Sequence, residues 1–294
     1  MTHKVAVSLA PRNTDTCLQT LEECVPVSSM AEIRLDLMES FDLPRLKALS
    51  PCPLIITCRP QREGGRFAGS EQERLAILRQ AIELECAYVD VEWDCIELFA
   101  DRSGTKTQVI VSRHWFDRMP PTFDEVYAAL APHADVVKLV GLAQQPRDLL
   151  PALSLLRNAT GPVIALAMGE IGRLIRLIAP CFPQCLLTYG AASSADVTAP
   201  GQLSVAEMVQ SYHLNEVGSH TQILLHLCAS DETVQAVVEK NAKVELGAGL
   251  HLPLVVPLDQ VSEVVAGFRA LVPRLTITAD RPLEAVIAES EIDQ

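Results

Sequence analysis

The sequence predicts a (β/α)8 barrel followed by a small α/β extension. From residue 4 to about residue 212, eight short runs rich in β-branched residues alternate with longer helical segments. Runs such as LIITC (54–58) and VIALAM (163–168) are apolar at successive positions, which is typical of parallel strands buried on both faces. Such an alternation of strands and helices indicates a closed α/β barrel. Beyond residue 213 the pattern changes, so a second unit is predicted there.

The predicted barrel strands are short and are separated by helical segments. In chain order they are Lys4–Ala10, Glu32–Met38, Leu54–Cys58, Tyr88–Glu92, Val109–Arg113, Val136–Leu142, Val163–Met168 and Leu186–Tyr189. Three of the helices open with a capping box, in which a Ser or Thr caps the first turn and a Glu three residues later reaches back. The pairs are Ser70 with Glu73, Thr122 with Glu125, and Ser204 with Glu207.

A doubly wound open sheet is the competing architecture, because it contains the same alternation of strands and helices. No GxGxxG turn follows the first strand and no GxxxxGK[ST] motif occurs in the chain. A nucleotide-binding version of that fold is therefore disfavoured.

The extension is predicted to contain three strands and two helices. The strands are Thr221–His226, Pro253–Pro257 and Leu275–Thr278, and the helices are Glu232–Lys243 and Val261–Leu271. We therefore divide the chain into a barrel over residues 1–214 and an extension over residues 220–294.

The charge of the chain limits its partners. Its 294 residues include 37 acidic and 24 basic side chains, for a net charge of -13. Binding to nucleic-acid phosphates requires clustered Lys and Arg, and no such cluster is visible. No apolar run approaches the ~20 residues of a membrane span, and the apolar stretch over residues 5–10 is too short for a signal peptide. We expect a cytoplasmic protein without nucleic-acid or membrane partners.

The nine cysteines do not have the spacing of a metal site. Cys181 and Cys185 are four residues apart, but no histidine lies nearby to complete a set of ligands. We interpret the cysteines as reduced, buried thiols, and we predict neither a metal ion nor a cofactor.

Lys138 lies in the middle of the apolar strand VVKLVGL, whereas the other five lysines have polar neighbours or lie near element ends. Burying an ammonium group is costly unless it is paired or neutralised, and desolvation favours the neutral amine. A neutral amine here is a nucleophile that forms a Schiff base with a carbonyl group. The alternative is a structural lysine paired with Asp90 or Glu92, and the residues alone do not decide between the two.

Other polar residues follow the predicted strands, where a barrel places its active site. His114 ends the strand before that of Lys138, and an imidazole there suits proton transfer, although a structural histidine is the alternative. Arg34, Arg59 and Arg176 are candidates for holding one anion, with internal ion pairs as the alternative. Together these groups indicate carbonyl chemistry on an anionic, hydroxylated small molecule. Aldol cleavage and β-elimination both fit.

Seven segments resemble those of the type I 3-dehydroquinate dehydratases and occur in the same order as in that family. Its members are (β/α)8 lyases that form a Schiff base. The segments are EIRLD (32–36), CRPQREGG (58–65), YVDVE (88–92), SRHWF (112–116), the strand around Lys138, MGEIGRLIRL (168–177) and APGQLSVAE (199–207). The resemblance covers about residues 4–212. It implies a cofactor-free enzyme of the shikimate pathway, in aromatic amino acid biosynthesis, that converts 3-dehydroquinate to 3-dehydroshikimate and water. The substrate is then the expected partner, and a homodimer is among the expected assemblies.

The resemblance also implies a role for each matching residue. Lys138 matches the Schiff-base lysine, His114 the general acid/base, and Glu63 the carboxylate that positions His114. The matches to substrate-binding positions are Glu32, Arg34 and Arg59 near the hydroxyls, Arg176, Thr198 and Gln202 near the carboxylate, and Ser8, Met168 and Tyr189 elsewhere in the pocket.

Two departures from the family pattern leave the catalytic groups in place. Thr198 stands where many members have Ser, and the added cation of Arg113 is expected to lower the pKa of the neighbouring His114. A non-catalytic ligand-binding or regulatory protein on the same barrel, sensing quinate-pathway metabolites, is the alternative function. Such a protein is expected to lose catalytic residues, whereas Lys138 and His114 are both present.

Residues 221–290 resemble, more faintly, the start of the substrate-binding domain of shikimate dehydrogenase. The Ser-x-Ser-Pro motif of that domain is reduced to ASD (229–231). Its Thr-Ile-Pro-x-Lys motif reads TITAD (276–280), without the catalytic lysine. The resemblance therefore implies a vestigial unit that is truncated before an NADP-binding domain and has no dehydrogenase activity.

Overall fold

Eight parallel strands form a nearly closed barrel in the computed structural model, which describes residues 4–100, 104–196, 198–199, 201–243 and 249–292. The strands are β1 Val5–Leu9, β2 Met30–Arg34, β3 Leu54–Thr57, β4 Tyr88–Glu92, β5 Gln108–Trp115, β6 Val136–Leu142, β7 Val163–Met168 and β8 Thr188–Ala191. Their spatial order is β7-β6-β5-β4-β3-β2-β1-β8, and each pairs with its neighbour in parallel. The predicted barrel is confirmed.

Helices connect the strands on the outside of the barrel. They are α1 Thr14–Cys24, α2 Leu43–Leu49, α3 Glu71–Glu83, α4 Asp124–Leu130, α5 Leu150–Asn158, α6 Arg173–Ile178 and α7 Val205–Gln210. Apolar side chains fill the space between the helices and the outer face of the strands. A smaller cluster that includes Ile55, Ile110 and Ile164 fills the interior of the barrel.

The second strand ends earlier than the sequence predicts. β2 stops at Arg34, because residues Leu35–Leu37 turn into a 3-10 helix. Asp36 in that turn accepts two hydrogen bonds from the Arg34 guanidinium, at 2.9 and 2.8 Å, and one from the backbone N–H of Arg66. These bonds favour a turn over a continued strand and hold the Arg34 side chain.

The three predicted capping boxes have different outcomes. At Ser70 both bonds of the box are present. At Ser204 the side chain accepts from the Glu207 N–H at 3.1 Å. The box at Thr122 is wrong, because its hydroxyl accepts from the N–H of Asp124, only two residues later, and α4 begins at Asp124.

The barrel has a seam between β7 and β8. In the described part of the chain, the pairing along this seam is an isolated bridge between Val163, the first residue of β7, and Cys185, which lies three residues before β8. At the opposite end, the loop after β8 contacts the end of β7. A Cβ atom on Gly201, whose φ is +74°, would lie 2.0 Å from the carbonyl oxygen of Gly169. Backbone contact between loops thus closes the upper part of the seam.

A three-stranded parallel sheet with helices forms the C-terminal unit. Its elements are β9 Ile223–Cys228, α8 Asp231–Lys243, β10 Leu250–Val255, α9 Val261–Leu271, β11 Leu275–Ala279 and α10 Arg281–Ile292, and the strand order is β10-β9-β11. The sequence analysis did not predict α10. No helix among the described residues is both long and apolar enough to cross a bilayer.

The C-terminal unit packs on the barrel through α9, which lies against α5. The backbone of Gly267 in α9 approaches the side chain of Leu150. Gln260 donates to Gln145 at 3.1 Å, in the loop that follows β6. The division at residues 214 and 220 stays a prediction.

Candidate active site

A pocket of about 180 Å³ opens at the carboxyl ends of the barrel strands. All twelve predicted site residues line it, namely Ser8, Glu32, Arg34, Arg59, Glu63, His114, Lys138, Met168, Arg176, Tyr189, Thr198 and Gln202. The sequence did not single out five further lining residues, Gly64, Phe116, Val140, Leu166 and Ala199. The structure therefore brings the predicted set together, while the role of each residue stays a prediction.

Lys138 points from β6 into the pocket and is 5% exposed. Its Nζ lies 2.8 Å from Oδ2 of Asp90 and 3.2 Å from Oε1 of Glu32. The ring of Tyr189 faces the same nitrogen, with its centroid 4.7 Å away. Of the two structural partners that the sequence offered, Asp90 is present and Glu92 is not.

The two carboxylates around Lys138 stay ionised despite their burial. Burial raises the pKa of Asp90, but the neighbouring charges of Arg59 and Lys138 more than offset it, so that this pKa lies well below its usual range. Burial also opposes the ionisation of Glu32, and the charge of Lys138 is the main effect that lowers its pKa. Two carboxylates thus surround one amine in a nearly closed site.

Arg59 lines the pocket, but its guanidinium is already occupied by protein groups. Nη2 lies 2.9 Å from Asp90, and Nη1 lies 2.7 Å from both Glu92 and the hydroxyl of Ser112. These carboxylates raise the pKa of Arg59 even though burial alone would lower it. Arg59 therefore links Asp90, the counter-ion of Lys138, to Glu92 and Ser112.

Glu63 fixes the orientation of His114. One carboxylate oxygen of Glu63, Oε2, lies 3.0 Å from Nδ1 of His114 and also accepts from the backbone N–H of His114 at 3.0 Å. The other oxygen accepts from Nε1 of Trp93 at 3.2 Å. The next residue, Gly64, has a φ of +74°, a conformation that favours glycine. A Cβ atom there would also lie 2.4 Å from the ring of Phe116. Since Nδ1 donates to Glu63, Nε2 is the nitrogen left for a ligand.

The His114 imidazole is neutral at pH 7. Burial lowers its pKa well below 6.5, and the charges of Arg59 and Lys138 lower it further. The side chain of Arg113 stacks between Trp93 and Trp115, at 4.4 and 4.8 Å from the ring centroids. The pKa of His114 is therefore lowered, as expected, but the leading causes are burial and the charges of Arg59 and Lys138 rather than Arg113.

Arg176 is a buried cation without a protein anion. It is 2% exposed and forms no hydrogen bond or ion pair within the described residues. Burial lowers its pKa to about 10, so the guanidinium still carries its charge at neutral pH. Leaving such a group unpaired is costly. An anionic ligand at this end of the pocket would satisfy it.

A chain of hydrogen bonds joins the remaining polar residues. Ser8 donates to Glu32 at 2.7 Å, and Thr198 donates to Ser8 at 2.9 Å and lies 3.0 Å from Oε1 of Gln202. Because this oxygen of Gln202 is engaged, its amide nitrogen is left to donate to a ligand.

The pocket thus combines a lysine amine, a neutral histidine and an unpaired arginine, and a family model agrees with this set. The model of the type I 3-dehydroquinases matches residues 5–219. The chain belongs to the type I 3-dehydroquinase family. Membership of this family confirms the predictions of a lyase of the 3-dehydroquinate dehydratase type and of the shikimate pathway.

Several relatives in this family have known names. The bifunctional 3-dehydroquinate dehydratase/shikimate dehydrogenase of Arabidopsis thaliana is 33% identical over 207 residues, 67% of this chain. The 3-dehydroquinate dehydratase of Methanocaldococcus jannaschii is 26% identical over 220 residues, 72% of this chain. The chain matches 34% of the length of the Arabidopsis protein and 99% of the archaeal one.

Solved structures share the fold. The 3-dehydroquinate dehydratase of Geobacillus kaustophilus superposes with a TM-score of 0.61 at 22% identity, over 70% of this chain and 88% of its own. The dehydroquinate dehydratase and shikimate dehydrogenase of S. pombe superposes with a TM-score of 0.62 at 20% identity, over 98% of this chain and 58% of its own. The second superposition therefore extends over the C-terminal unit, whose fold is shared as well.

Proposed function

We propose that this chain converts 3-dehydroquinate to 3-dehydroshikimate and water through an imine on Lys138. The observation that carries the proposal is one pocket in which a buried amine, a neutral imidazole and an unpaired guanidinium line the same small volume. Elimination of a hydroxyl group β to a ketone, in an anionic substrate, needs an electron sink, a base and a site for the substrate anion. These three groups supply them.

The reaction begins with the amine. Nζ of Lys138 loses a proton, for which the hydrogen-bonded carboxylates Glu32 and Asp90 are the nearest acceptors. Its lone pair attacks the C3 carbonyl carbon, and the resulting carbinolamine loses water to give the iminium ion. The iminium withdraws electrons from C2 and acidifies the hydrogen there.

Proton transfer by His114 completes the elimination. Nε2 takes the C2 proton, and the electron pair of that C–H bond moves towards the iminium nitrogen. The electrons then return to expel the C1 hydroxyl, which leaves as water with the proton that His114 gives back. Hydrolysis of the conjugated iminium releases 3-dehydroshikimate and restores the amine, so the net change is the loss of one water.

Reductive trapping tests this function. Borohydride added with 3-dehydroquinate is expected to fix the ligand mass on the peptide that contains Lys138, while the increase in enone absorbance reports turnover. Label on another lysine in an active preparation contradicts the proposed nucleophile. Binding of 3-dehydroquinate without turnover or adduct supports instead the non-catalytic, regulatory alternative.

Arg176→Ala is expected to weaken productive binding of substrate by well over tenfold. The guanidinium is buried and has no protein anion, and losing one side of a buried charged pair costs ~2–5 kcal/mol. Steady-state kinetics measure the effect. Arg173→Ala is the matched control, because Arg173 lies on the same helix in a surface pair with Glu170. Unchanged constants for Arg176→Ala contradict its role.

His114 is expected to resist protonation when the pH falls below about 6.5. Burial lowers its pKa most, and the nearby charges of Arg59 and Lys138 lower it further. NMR of histidine-labelled protein measures the titration of His114, with His114→Ala for assignment. Because the unfolded chain binds this proton and the folded one does not, acidification through this range also favours unfolding. A His114 titration near 6.5 contradicts the expected neutral base.

The C-terminal unit is expected to show no NADP-dependent oxidation of shikimate. Asp280 stands where the dehydrogenase motif has its lysine, and its carboxylate accepts from the Ala229 N–H, Thr233 and His226 at 2.8 to 3.1 Å. Deletion from residue 216 is expected to leave the dehydratase pocket intact, because every predicted site residue precedes it. Loss of solubility on deletion would show that the unit covers apolar surface on α5 that the barrel cannot leave exposed.

The expected cytoplasmic location and homodimer stay predictions.

A further inference from the structure

Arg74 lies outside the pocket and is nevertheless completely buried. It belongs to α3, in the helical layer behind β4. Its Nη1 contacts the carboxylate of Glu92 and donates to the carbonyl oxygen of Cys58 at 3.1 Å. Nε and Nη2 donate to Glu71 at 2.9 and 2.6 Å. The whole guanidinium is therefore used, and one of its partners ends β4 next to the site.

A continuous series of ion pairs links this arginine to the reactive amine. Glu92 lies between Arg74 and Arg59, and its Oε1 is 2.7 Å from Nη1 of Arg59. Nη2 of Arg59 is 2.9 Å from Oδ2 of Asp90, and the same oxygen is 2.8 Å from Nζ of Lys138. Each of these five residues is at most 5% exposed, so water screens none of the pairs.

The buried charges in this series balance. Three buried cations, on Arg59, Arg74 and Lys138, face three buried carboxylates, while the half-exposed Glu71 is shared between Arg74 and the surface cation of Arg62. The third carboxylate is Glu32, which together with Asp90 contacts the amine. In an interior of low dielectric, removing one member leaves an uncompensated charge that its neighbours feel strongly.

We propose that Arg74 is a positioning residue for the Lys138 amine and acts through Glu92 and Arg59. By holding Glu92, it keeps one edge of the Arg59 guanidinium on that carboxylate and the other on Asp90. Asp90 in turn stays within hydrogen-bond distance of Nζ. The proposal rests on the proposed function, in which Lys138 is the nucleophile. It adds a residue of the outer helical layer to the apparatus for imine formation.

The pH dependence of imine formation reports this role, because the amine must lose a proton before it attacks. The charged and titratable groups that face Nζ are Glu32, Asp90, Arg59, His114 and Tyr189, and Arg34, Glu63 and Arg176 line the same pocket. Arg74→Met leaves their surroundings one charge more negative. It is expected to slow borohydride trapping at pH 7 about tenfold, and to raise the pH of half-maximal trapping by about one unit.

The carboxylate partner gives a test of opposite sign. Glu92→Gln leaves the cluster one charge more positive and is expected to lower the pH of half-maximal trapping. The double variant Arg74→Met/Glu92→Gln restores the balance, and its midpoint is expected to return to within a few tenths of a unit of the parent value. Quenched-flow trapping with 3-dehydroquinate on the full chain, followed by mass spectrometry, measures all three. Shifts of the same sign, or a double variant no closer to the parent, overturn the proposal.

Controls separate positioning from folding. Arg79→Met removes a cation from the exposed face of the same helix, where Arg79 lies over the ring of Phe99, and is expected to leave trapping unchanged. If Arg74→Met does not fold, Arg74→Gln carries the test, because it also removes the charge beside Glu92, and the same raised midpoint is expected. Arg74→Lys keeps the charge and is expected to return the midpoint towards the parent value. An unshifted Arg74→Gln overturns the proposal. If the parent forms an adduct on Lys138 and the variants leave the pH of half-maximal trapping unchanged, only the role of Arg74 is refuted. If the parent forms no adduct, the proposed function itself is refuted.

Discussion

His114→Ala is expected to turn over at least about a thousandfold more slowly than the parent and still to form a trappable adduct on Lys138. General acid–base catalysis is typically worth ~10²–10⁴ in rate. An imidazole that removes the C2 proton and returns it to the leaving hydroxyl acts in two successive steps, so its loss lies towards the upper end of that range. Imine formation depends mainly on the amine and its carboxylates, which this substitution leaves in place.

Two measurements on the variant distinguish these effects. Enone absorbance gives the rate of elimination, and borohydride trapping gives the extent of imine formation. His220→Ala, which removes an exposed imidazole outside the pocket, is the matched control. Turnover of His114→Ala within tenfold of the parent would show that another group is the base, and a water held by Glu63 is then the first candidate.

Lys138→Met is expected to abolish measurable turnover, with a loss of at least about 10⁴-fold, and to form no adduct. Methionine nearly matches the length of the side chain but supplies no nucleophile, so the covalent route is closed. The variant also leaves two buried carboxylates facing an apolar group. Asp90 keeps its pair with Arg59, so we expect the fold to persist with reduced thermal stability.

The control for this variant is a lysine outside the pocket. Lys106→Met removes an amine whose side chain is 82% exposed and which pairs with Glu85 at the surface. It is expected to keep full activity and the adduct on Lys138. Substantial turnover by a folded Lys138→Met protein would exclude the imine mechanism, even if the protein still binds 3-dehydroquinate.

The barrel and the membership of the pocket follow from the sequence for a physical reason. Parallel strands that are buried on both faces are apolar at successive positions, and a barrel brings the carboxyl ends of all its strands to one rim. Polar residues at such ends, such as His114 near the end of β5 and Arg59 after β3, are therefore brought to one rim wherever they lie in the chain. The resemblance to the family then supplied residues that the strand ends alone did not indicate, such as Ser8.

The connections between those residues did not follow, because they depend on side-chain directions. Asp90 was foreseen only as an alternative partner of Lys138, although it is the nearest carboxylate to Nζ. Arg59 was expected at the substrate hydroxyls, whereas it also pairs with two carboxylates. The helical spacing of Arg74 gives no sign that it reaches Glu92, since a buried arginine on an amphipathic helix resembles an exposed one in sequence.

The seam between β7 and β8 gives the proposed substrate site a mechanical consequence. Arg176 lies on the helix that follows β7, and Gln202 lies in the loop that follows β8. Under the proposed function, a substrate carboxylate held by both residues bridges two strands whose own pairing is limited to the bridge at Val163. We therefore expect bound ligand to add to the loop contacts that close the seam, and to make local opening there rarer in the occupied barrel than in the empty one.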